Sequence, residues 1–280
     1  MGLDSLMVRI AVCQLPLTIE NPGENIGLAN AAILEAASQG AKLIVLPELT
    51  NSGCTFRNIA ELEVRATTLD GTLLKEWAAL AKQLKVVIVA GLAIKELGNF
   101  YNSSVVVDST GLRGWYRKVH LWDDEVDFFT PGDEPPLIVD TDIGRIATII
   151  CYDIEFPEWV RLAMLGEASI LALPMNWPDS GRPAEQTPIA VYLVQAAASQ
   201  NKLIVAAADR TRTERGVAWT GSSLIADSDG LIQVTANRIN IDEVQILTAD
   251  VEIPIDRKIG PRNDVRTDRR PDLYQKILSK

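Results

Sequence analysis

Short apolar runs alternate with longer Ala- and Leu-rich segments over the first part of the chain. Helical periodicity over about 25–38 and 73–84 predicts two helices, and Gly40 follows the first as a stop signal. Helices that alternate with strands favour an α/β fold, and turn signals at 110–111 and 229–230 add antiparallel pairs. The apolar runs predict strands at 8–14, 43–46, 86–90, 103–108 and about 114–118.

The second half of the sequence repeats strand segments of the first half in the same order. The four matched pairs are 9–12 with 145–148, 43–48 with 170–175, 85–90 with 202–207, and 103–112 with 222–231. If each half is a sheet with helices on one face, the two bare faces pack together. We therefore predict an α/β fold, a four-layer α-β-β-α sandwich built from two pseudo-symmetric halves. We expect one domain over 1–280 with a C-terminal arm at about 256–280.

Composition and charge narrow the function classes. The 280 residues are 47% hydrophobic and 23% charged, with a formal net charge of −10, as in a globular protein without a basic face. A nucleic-acid or anionic-membrane partner is therefore not expected. The start of the chain lacks a signal-peptide pattern, and no apolar run approaches the roughly 18 residues of a membrane span. These features predict a cytoplasmic protein.

The cysteine and histidine counts limit the metal chemistry. Cys13, Cys54 and Cys151 lack CxxC spacing, which favours neither a disulfide framework nor a thiolate zinc site. His120 is the only histidine, so a histidine-based zinc site is excluded. The two counts together therefore disfavour a zinc site.

Cys151 is the first candidate for chemistry. It follows the apolar run 146–150 and precedes an acidic turn and Pro157, after which a helical pattern begins. A thiol at such a strand-to-helix corner is a candidate nucleophile. The alternative is that Cys151 is a small buried hydrophobic residue.

Two charged residues are candidate partners of this thiol. Glu48 directly follows a buried strand, and its counterpart in the second half is Met175, so the fold does not require a carboxylate there. Glu48 is either a general base or a solvated loop residue. Lys118 is either an exposed strand lysine or a cation that lowers the thiol pKa and stabilises an oxyanion. His120, on the same face as Lys118 if the strand continues, is a second candidate base.

Three motifs carry a resemblance to a known family. LPE at Glu48, YRKVHLW around Lys118 and CYDIEFPE around Cys151 resemble the signature regions of the nitrilase superfamily, the carbon-nitrogen hydrolases. YNSS at Tyr101 and FFTPG at Phe128 are also typical of that family. The resemblance covers nearly the whole chain.

The resemblance implies a set of roles. Cys151 would be the nucleophile, Glu48 the general base, and Lys118 the cation that stabilises the tetrahedral intermediate, with the backbone N–H of Tyr152 as a second donor. Glu125 matches the second glutamate that orients the site in many members. The implied fold is again an α-β-β-α sandwich, the implied assembly is a homodimer or a larger homo-oligomer, and no cofactor is implied.

The residues after the cysteine indicate which carbon–nitrogen bond is cleaved. Nitrilases proper usually have Trp-Glu there, whereas Tyr152-Asp153 favours an amide, and the FPE ending favours amidases over carbamoylases. The predicted reaction is hydrolysis of a small carboxylic amide to acid and ammonia. The alternatives are an N-carbamoyl amino acid or amine hydrolase, a nitrilase, and a catalytically idle scaffold.

The substrate pocket is expected from loops at the strand ends, including 51–56. Glu155 stands where relatives often carry Arg, which removes a common positive charge, and Arg182 or Arg210 could bind a substrate carboxylate instead. Cys54 stands where relatives often carry Tyr. Trp122 and Trp177 either line the pocket or serve only in packing. The predicted substrate-binding residues are Cys54, Trp122, Tyr152, Asn176 and Trp177.

Overall fold

The computed structural model describes residues 6–181, 183, 186–238 and 242–278. It contains twelve strands, numbered in chain order: β1 Met7–Gln14, β2 Leu43–Val45, β3 Val87–Glu96, β4 Asn99–Asp108, β5 Gly111–Arg117, β6 Leu137–Thr141, β7 Gly144–Thr148, β8 Ile170–Pro174, β9 Ile204–Ala208, β10 Leu224–Ala226, β11 Ile232–Thr235 and β12 Gln245–Glu252. The α-helices are α1 Pro22–Ser38, α2 Ile59–Glu63, α3 Thr72–Leu84, α4 Pro157–Leu165, α5 Ile189–Asn201 and α6 Pro271–Leu278. Two 3₁₀ helices complete the list: Asp123–Asp127 lies between β5 and β6, and Cys151–Glu155 lies between β7 and α4.

The strands form two six-stranded sheets with equivalent strand orders. The first sheet runs β12-β1-β2-β3-β4-β5, and the second, read from the corresponding edge, runs β6-β7-β8-β9-β10-β11. In each, three strands pair in parallel, β1 to β3 and β7 to β9, and antiparallel strands complete both edges. The repeat in the sequence therefore corresponds to a repeat in topology.

Successive side chains of a strand pack on opposite faces of its sheet, and this alternation produces the layers of the sandwich. In β1, Ile10 and Val12 pack between the sheets against residues such as Ile170 and Ile204 of the second sheet. The intervening Ala11 belongs to the core under the helices of the first half. Because successive side chains point to opposite faces, a strand that is apolar throughout fits a sheet covered on both sides. The predicted α-β-β-α sandwich is confirmed, whereas its description as a single domain stays a prediction.

Several element ends differ from the sequence prediction. The strand expected at 86–90 continues to Glu96, because β3 pairs with β4 as far as Glu96 opposite Asn99. Residues at the hairpin end of β3 are polar, so a search for apolar runs does not detect the full length of this strand. β5 ends at Arg117, and β7 ends at Thr148, so Lys118 and Cys151 both lie just beyond a strand.

The predicted C-terminal arm contains α6. The first residues of the arm are hydrogen-bonded to the second half of the molecule. The Arg257 guanidinium donates hydrogen bonds to the backbone carbonyls of Lys202 and Ala168. Within the described part of the chain, no helix has the length and apolar character needed to cross a bilayer.

Candidate active site

The ends of corresponding strands in the two halves meet at the centre of the molecule. Glu48 follows β2, and its backbone N–H donates to the carbonyl of Met175, which follows β8, at 3.4 Å. Glu48, Lys118 and Cys151 thus come from three strand ends, while Glu125 comes from the 3₁₀ helix Asp123–Asp127. All four side chains are buried, and all four line one cavity of about 350 Å³.

A buried ion-pair network joins the charged members of the site. The Lys118 Nζ donates to Glu48 Oε1 at 2.7 Å and to Glu125 Oε2 at 2.8 Å. The Asn102 Nδ2 donates to the same two carboxylates, at 2.6 Å to Glu48 and 2.7 Å to Glu125. The backbone N–H of Trp122 also donates to Glu125, at 2.7 Å. The position of each carboxylate is therefore fixed by a cation and by an amide.

Burial and neighbouring charges set the protonation of these groups. Burial raises the pKa of Glu48 to about 7, although Lys118 opposes the rise, and Glu125 adds to it. Burial alone would lower the pKa of Lys118, but Glu125 and Glu48 outweigh it and hold that pKa well above its usual value. Lys118 is therefore a permanent cation, and Glu48 can exchange a proton near neutral pH.

The Cys151 thiol is protonated in the resting site. Burial and the Glu48 carboxylate raise the pKa of Cys151 well above its ordinary value, and the opposing effect of Lys118 is smaller. Lys118 lowers this pKa as predicted, but burial and Glu48 outweigh that effect, so the net change is an increase. Because the thiol keeps its proton, the nucleophile requires a base, which the adjoining Glu48 can supply.

The backbone at the nucleophile corner is held in an uncommon conformation. Cys151 has φ of +42°, in the left-handed region that non-glycine residues seldom adopt. Asp153, which is fully buried, accepts hydrogen bonds from the Ile150 backbone N–H at 3.0 Å and the Tyr116 hydroxyl at 2.7 Å. Sequence reasoning assigned Asp153 no structural role, although it is the second residue after the cysteine.

His120 lies outside the cavity lining. Its strand ends at Arg117, so it does not continue the face of Lys118 as required for the second-base hypothesis. The His120 ring stacks on Phe156 with centroids 3.8 Å apart, and Nδ1 lies 2.7 Å from Asp153 Oδ1. These contacts show that His120 supports the nucleophile corner, and the shared strand face on which the second-base hypothesis depended is not formed.

The structure brings the predicted substrate-binding residues to the same cavity, whereas their roles stay predictions. The Asn176 carbonyl accepts a hydrogen bond from Cys151 Sγ at 3.6 Å. The rings of Trp122 and Tyr152 meet edge to face, with centroids 4.8 Å apart. All five line the cavity: Cys54, Trp122, Tyr152, Asn176 and Trp177.

Other polar residues of the predicted pocket have structural contacts instead. Asn51 donates to the carbonyls of Arg65 and Ala93, both at 3.0 Å. Arg210 is fully buried, donates to Glu214 and the Leu17 carbonyl, and is absent from the cavity lining. Arg182, the other residue suggested for a substrate carboxylate, lies outside the described residues.

The sequence did not predict the cavity wall to which 178–180, 186, 188–189, 217 and 219–220 contribute. Trp219 and Thr220 line the cavity, and Asp209 ties this wall to the predicted pocket. The buried Asp209 carboxylate accepts from the Trp177 backbone N–H at 3.0 Å and from the Thr220 hydroxyl at 2.9 Å. These loops carry no motif, so local sequence gave no signal for them. Asn102 was similarly unassigned, although it lies in the YNSS motif.

Comparisons with known proteins identify the family to which the chain belongs. The family model described as "Carbon-nitrogen hydrolase" matches residues 9–254. A protein named "Nitrilase" from Pyrococcus abyssi is 34% identical over 96% of this chain and 99% of its own length. The chloroplastic omega-amidase of Arabidopsis thaliana is 32% identical over 96% of this chain and 74% of its own.

The same fold occurs in a crystal structure of an amidase from Nesterenkonia sp. The TM-score is 0.80 at 23% identity, with 99% of each chain covered. The resemblance inferred from the motifs is confirmed by the match along the chain. This protein therefore belongs to the carbon-nitrogen hydrolase family of the nitrilase superfamily, enzymes that hydrolyse carbon–nitrogen bonds other than peptide bonds.

Proposed function

We propose that this enzyme hydrolyses a small carboxylic amide to the acid and ammonia through a thioester on Cys151. One observation carries the proposal. A protonated thiol lies in the same buried cavity as a carboxyl group whose pKa is raised to about 7 and a permanently charged lysine. These are the three groups that acyl transfer to sulfur requires: a nucleophile, a base and an oxyanion partner.

In the first half of the reaction, Glu48 takes the thiol proton as the sulfur attacks the amide carbonyl carbon. The carbonyl oxygen becomes an oxyanion, which Lys118 Nζ and the backbone N–H of Tyr152 stabilise. Glu48 then gives its proton to the amide nitrogen, the carbon–nitrogen bond breaks, and ammonia leaves. The acyl group remains on Cys151 as a thioester.

In the second half, Glu48 takes a proton from water as the water oxygen attacks the thioester. Collapse of the second tetrahedral intermediate releases the carboxylic acid and returns the proton to the Cys151 sulfur. Glu125 and Asn102 hold Glu48 and Lys118 through contacts of 2.6–2.8 Å, which keeps the base and the cation aligned in both halves. Covalent catalysis thus divides one difficult hydrolysis into two easier steps.

An ammonia-release assay over short aliphatic amides, aromatic amides, carbamoyl compounds and nitriles tests this function. We expect ammonia and acid in equal amounts from amides. Carbon dioxide released with ammonia would favour the N-carbamoyl alternative. The relative named nitrilase makes nitriles a necessary part of the panel. Turnover of nitriles alone would contradict the amidase proposal, and turnover of no compound would favour an idle scaffold.

Gly91 tests how tightly the base must be positioned. A Cβ at Gly91 would lie 2.3 Å from the Glu48 Cα and 2.8 Å from the Pro47 carbonyl oxygen. We expect Gly91→Ala to lower stability by about 1–3 kcal/mol through overpacking and to reduce kcat by about 10²-fold, because a shift near 1 Å misplaces the base. Thermal unfolding and amide hydrolysis measure the two effects.

Gly27→Ala is the matched control for Gly91→Ala. Gly27 lies in α1, with nothing within 4 Å of an added Cβ. Alanine there should raise helix stability by up to about 1 kcal/mol and leave turnover unchanged. Unchanged stability and turnover in Gly91→Ala would contradict the steric argument.

The assembly and the cellular location also stay proposals. A homodimer or larger homo-oligomer in the cytoplasm is supported by the family resemblance and by the composition. Light scattering of the purified protein would test the assembly, and a monomer at micromolar concentration would contradict it.

A further inference from the structure

The outer part of the catalytic cavity is strongly acidic. Four exposed carboxylates from three separate segments line it, and we call them the acidic rim: Asp123, Asp124, Glu155 and Asp179. Arg238 also lines the cavity, and its Nη1 donates to the Gln186 carbonyl at 3.0 Å. Among the described lining residues outside the Glu48–Lys118–Glu125 cluster, four negative charges thus stand against one positive charge.

The carboxylates of the rim act on one another through their like charges. Partial burial raises the pKa of Asp124, and the neighbouring charges of Asp123 and Glu125 raise it further. A ligand carboxylate would add to this repulsion, whereas a ligand cation would relieve it. The rim therefore favours a positive charge on the bound molecule.

Four aromatic side chains also line the cavity, and we call them the aromatic wall. Trp122, Tyr152, Trp177 and Trp219 all contribute to the lining. Trp122 is 46% exposed, so part of its ring surface is available to a ligand. Aromatic faces attract ammonium and guanidinium groups through the ring quadrupole. The aromatic wall and the acidic rim therefore favour the same kind of ligand by independent interactions.

Asn176 independently indicates that the cavity takes a polar ligand. It lines the cavity, it is only 4% exposed, and its backbone carbonyl contacts the Cys151 thiol. Neither Oδ1 nor Nδ2 of its side chain has a hydrogen-bond partner within the described part of the chain. A buried amide left unpaired is costly, so polar atoms of a bound molecule are its natural partners.

We propose that this cavity selects primary amides whose acyl chain ends in a positively charged amino group. The inference rests on the proposed amide hydrolysis and specifies its substrate class. The reacting amide lies at Cys151 beside Asn176, and the ammonium group lies at the acidic rim. Glu155 is the rim residue on the same 3₁₀ helix as the nucleophile, four residues and about 8 Å further along at the usual rise of such a helix.

The first test compares three amides of similar length and different charge: 5-aminopentanamide, hexanamide and glutaramate. At pH 7.5 and low salt we expect kcat/KM to fall in that order, by about tenfold at each step. The differences should shrink as ionic strength rises, because salt screens exposed charges. Faster turnover of glutaramate than of hexanamide would overturn the proposal.

Glu155→Gln tests which carboxylate is responsible. We expect it to lower the ratio of kcat/KM for 5-aminopentanamide over hexanamide by about threefold or more. Glu158→Gln is the matched control, because Glu158 is an exposed glutamate of α4 that does not line the cavity. An equal ratio in the wild type and the Glu155→Gln variant would overturn the assignment to this rim.

A second measurement separates the charge preference from amide hydrolysis itself. Aminoethyl and sulfonatoethyl methanethiosulfonate are a cation and an anion that modify thiols without turnover. The modification rate at Cys151, assigned by peptide mass spectrometry and normalised to 2-mercaptoethanol, should favour the cation by about tenfold, and by less in Glu155→Gln. A normalised ratio near one would overturn the proposal. Absence of amide turnover with a retained cation preference would contradict the proposed function alone.

Discussion

Cys151→Ala is expected to reduce amide hydrolysis by about 10⁴-fold or more, to the background of the assay. The substitution removes the atom that forms the thioester, and no other group in the proposed mechanism can replace it. The fold should tolerate the change, because alanine removes only the sulfur from a site bounded by rigid strands. Ammonia release, together with a thermal unfolding curve, measures both parts of this expectation.

Cys13→Ala is the control for this prediction. Cys13 is a buried thiol of β1 in the core beneath the helices, and burial raises its pKa to about 12. It should therefore be inert to alkylation and dispensable for turnover per folded molecule. Substantial hydrolysis by purified Cys151→Ala protein would refute the thioester mechanism, whatever the behaviour of Cys13→Ala.

Glu48→Gln should reduce kcat by about 10²–10⁴-fold, the usual contribution of a general base. The substitution is nearly isosteric, and an amide oxygen can still accept hydrogen bonds from Lys118 and Asn102, which contact Oε1 in the wild type. The loss should therefore appear in the chemical step more than in folding. Steady-state kinetics with an amide that the wild type hydrolyses measure the effect on the chemical step, and a thermal unfolding curve measures the effect on folding.

The pH dependence supplies a second readout for Glu48. Burial raises the pKa of Glu48 to about 7, and the base is active only when it is deprotonated. Activity of the wild type should therefore rise with pH through about 7 and be lost below it, and Glu48→Gln should lack this limb. Glu76→Gln, on an exposed position of α3, should keep the wild-type profile. A wild-type profile without a limb near 7 would assign the base elsewhere.

The sequence predicted a large part of the candidate site because the decisive residues lie just beyond buried strands and within recognisable motifs. Glu48 and Cys151 are such residues, and the comparison of Glu48 with Met175 showed that the fold does not require the carboxylate. Local patterns failed where a side chain could make more than one contact. His120 was compatible with a position beside Lys118, and the early end of β5 and the contact with Asp153 decided otherwise.

The net protonation of the thiol was also beyond the sequence. Lys118 acts on the Cys151 pKa with the expected sign, but burial and Glu48 outweigh it. The balance depends on how much water each group loses and on distances between residues far apart in the chain. Neither quantity can be obtained from residue types alone.

By itself, the sequence determined the layered α/β fold and the repeat of its halves, and it predicted the four candidate residues that line one buried cavity. The fold follows from the period of apolar positions, and the candidate residues follow from motifs that resemble those of a known family. The tertiary structure decided how Asn102 and Asp153 support the centre and that Arg210 is buried away from the cavity. It also decided that the outer wall is acidic and aromatic. Those outcomes depend on which loops meet where two sheets pack, and contacts between distant segments leave no periodic signal in the chain.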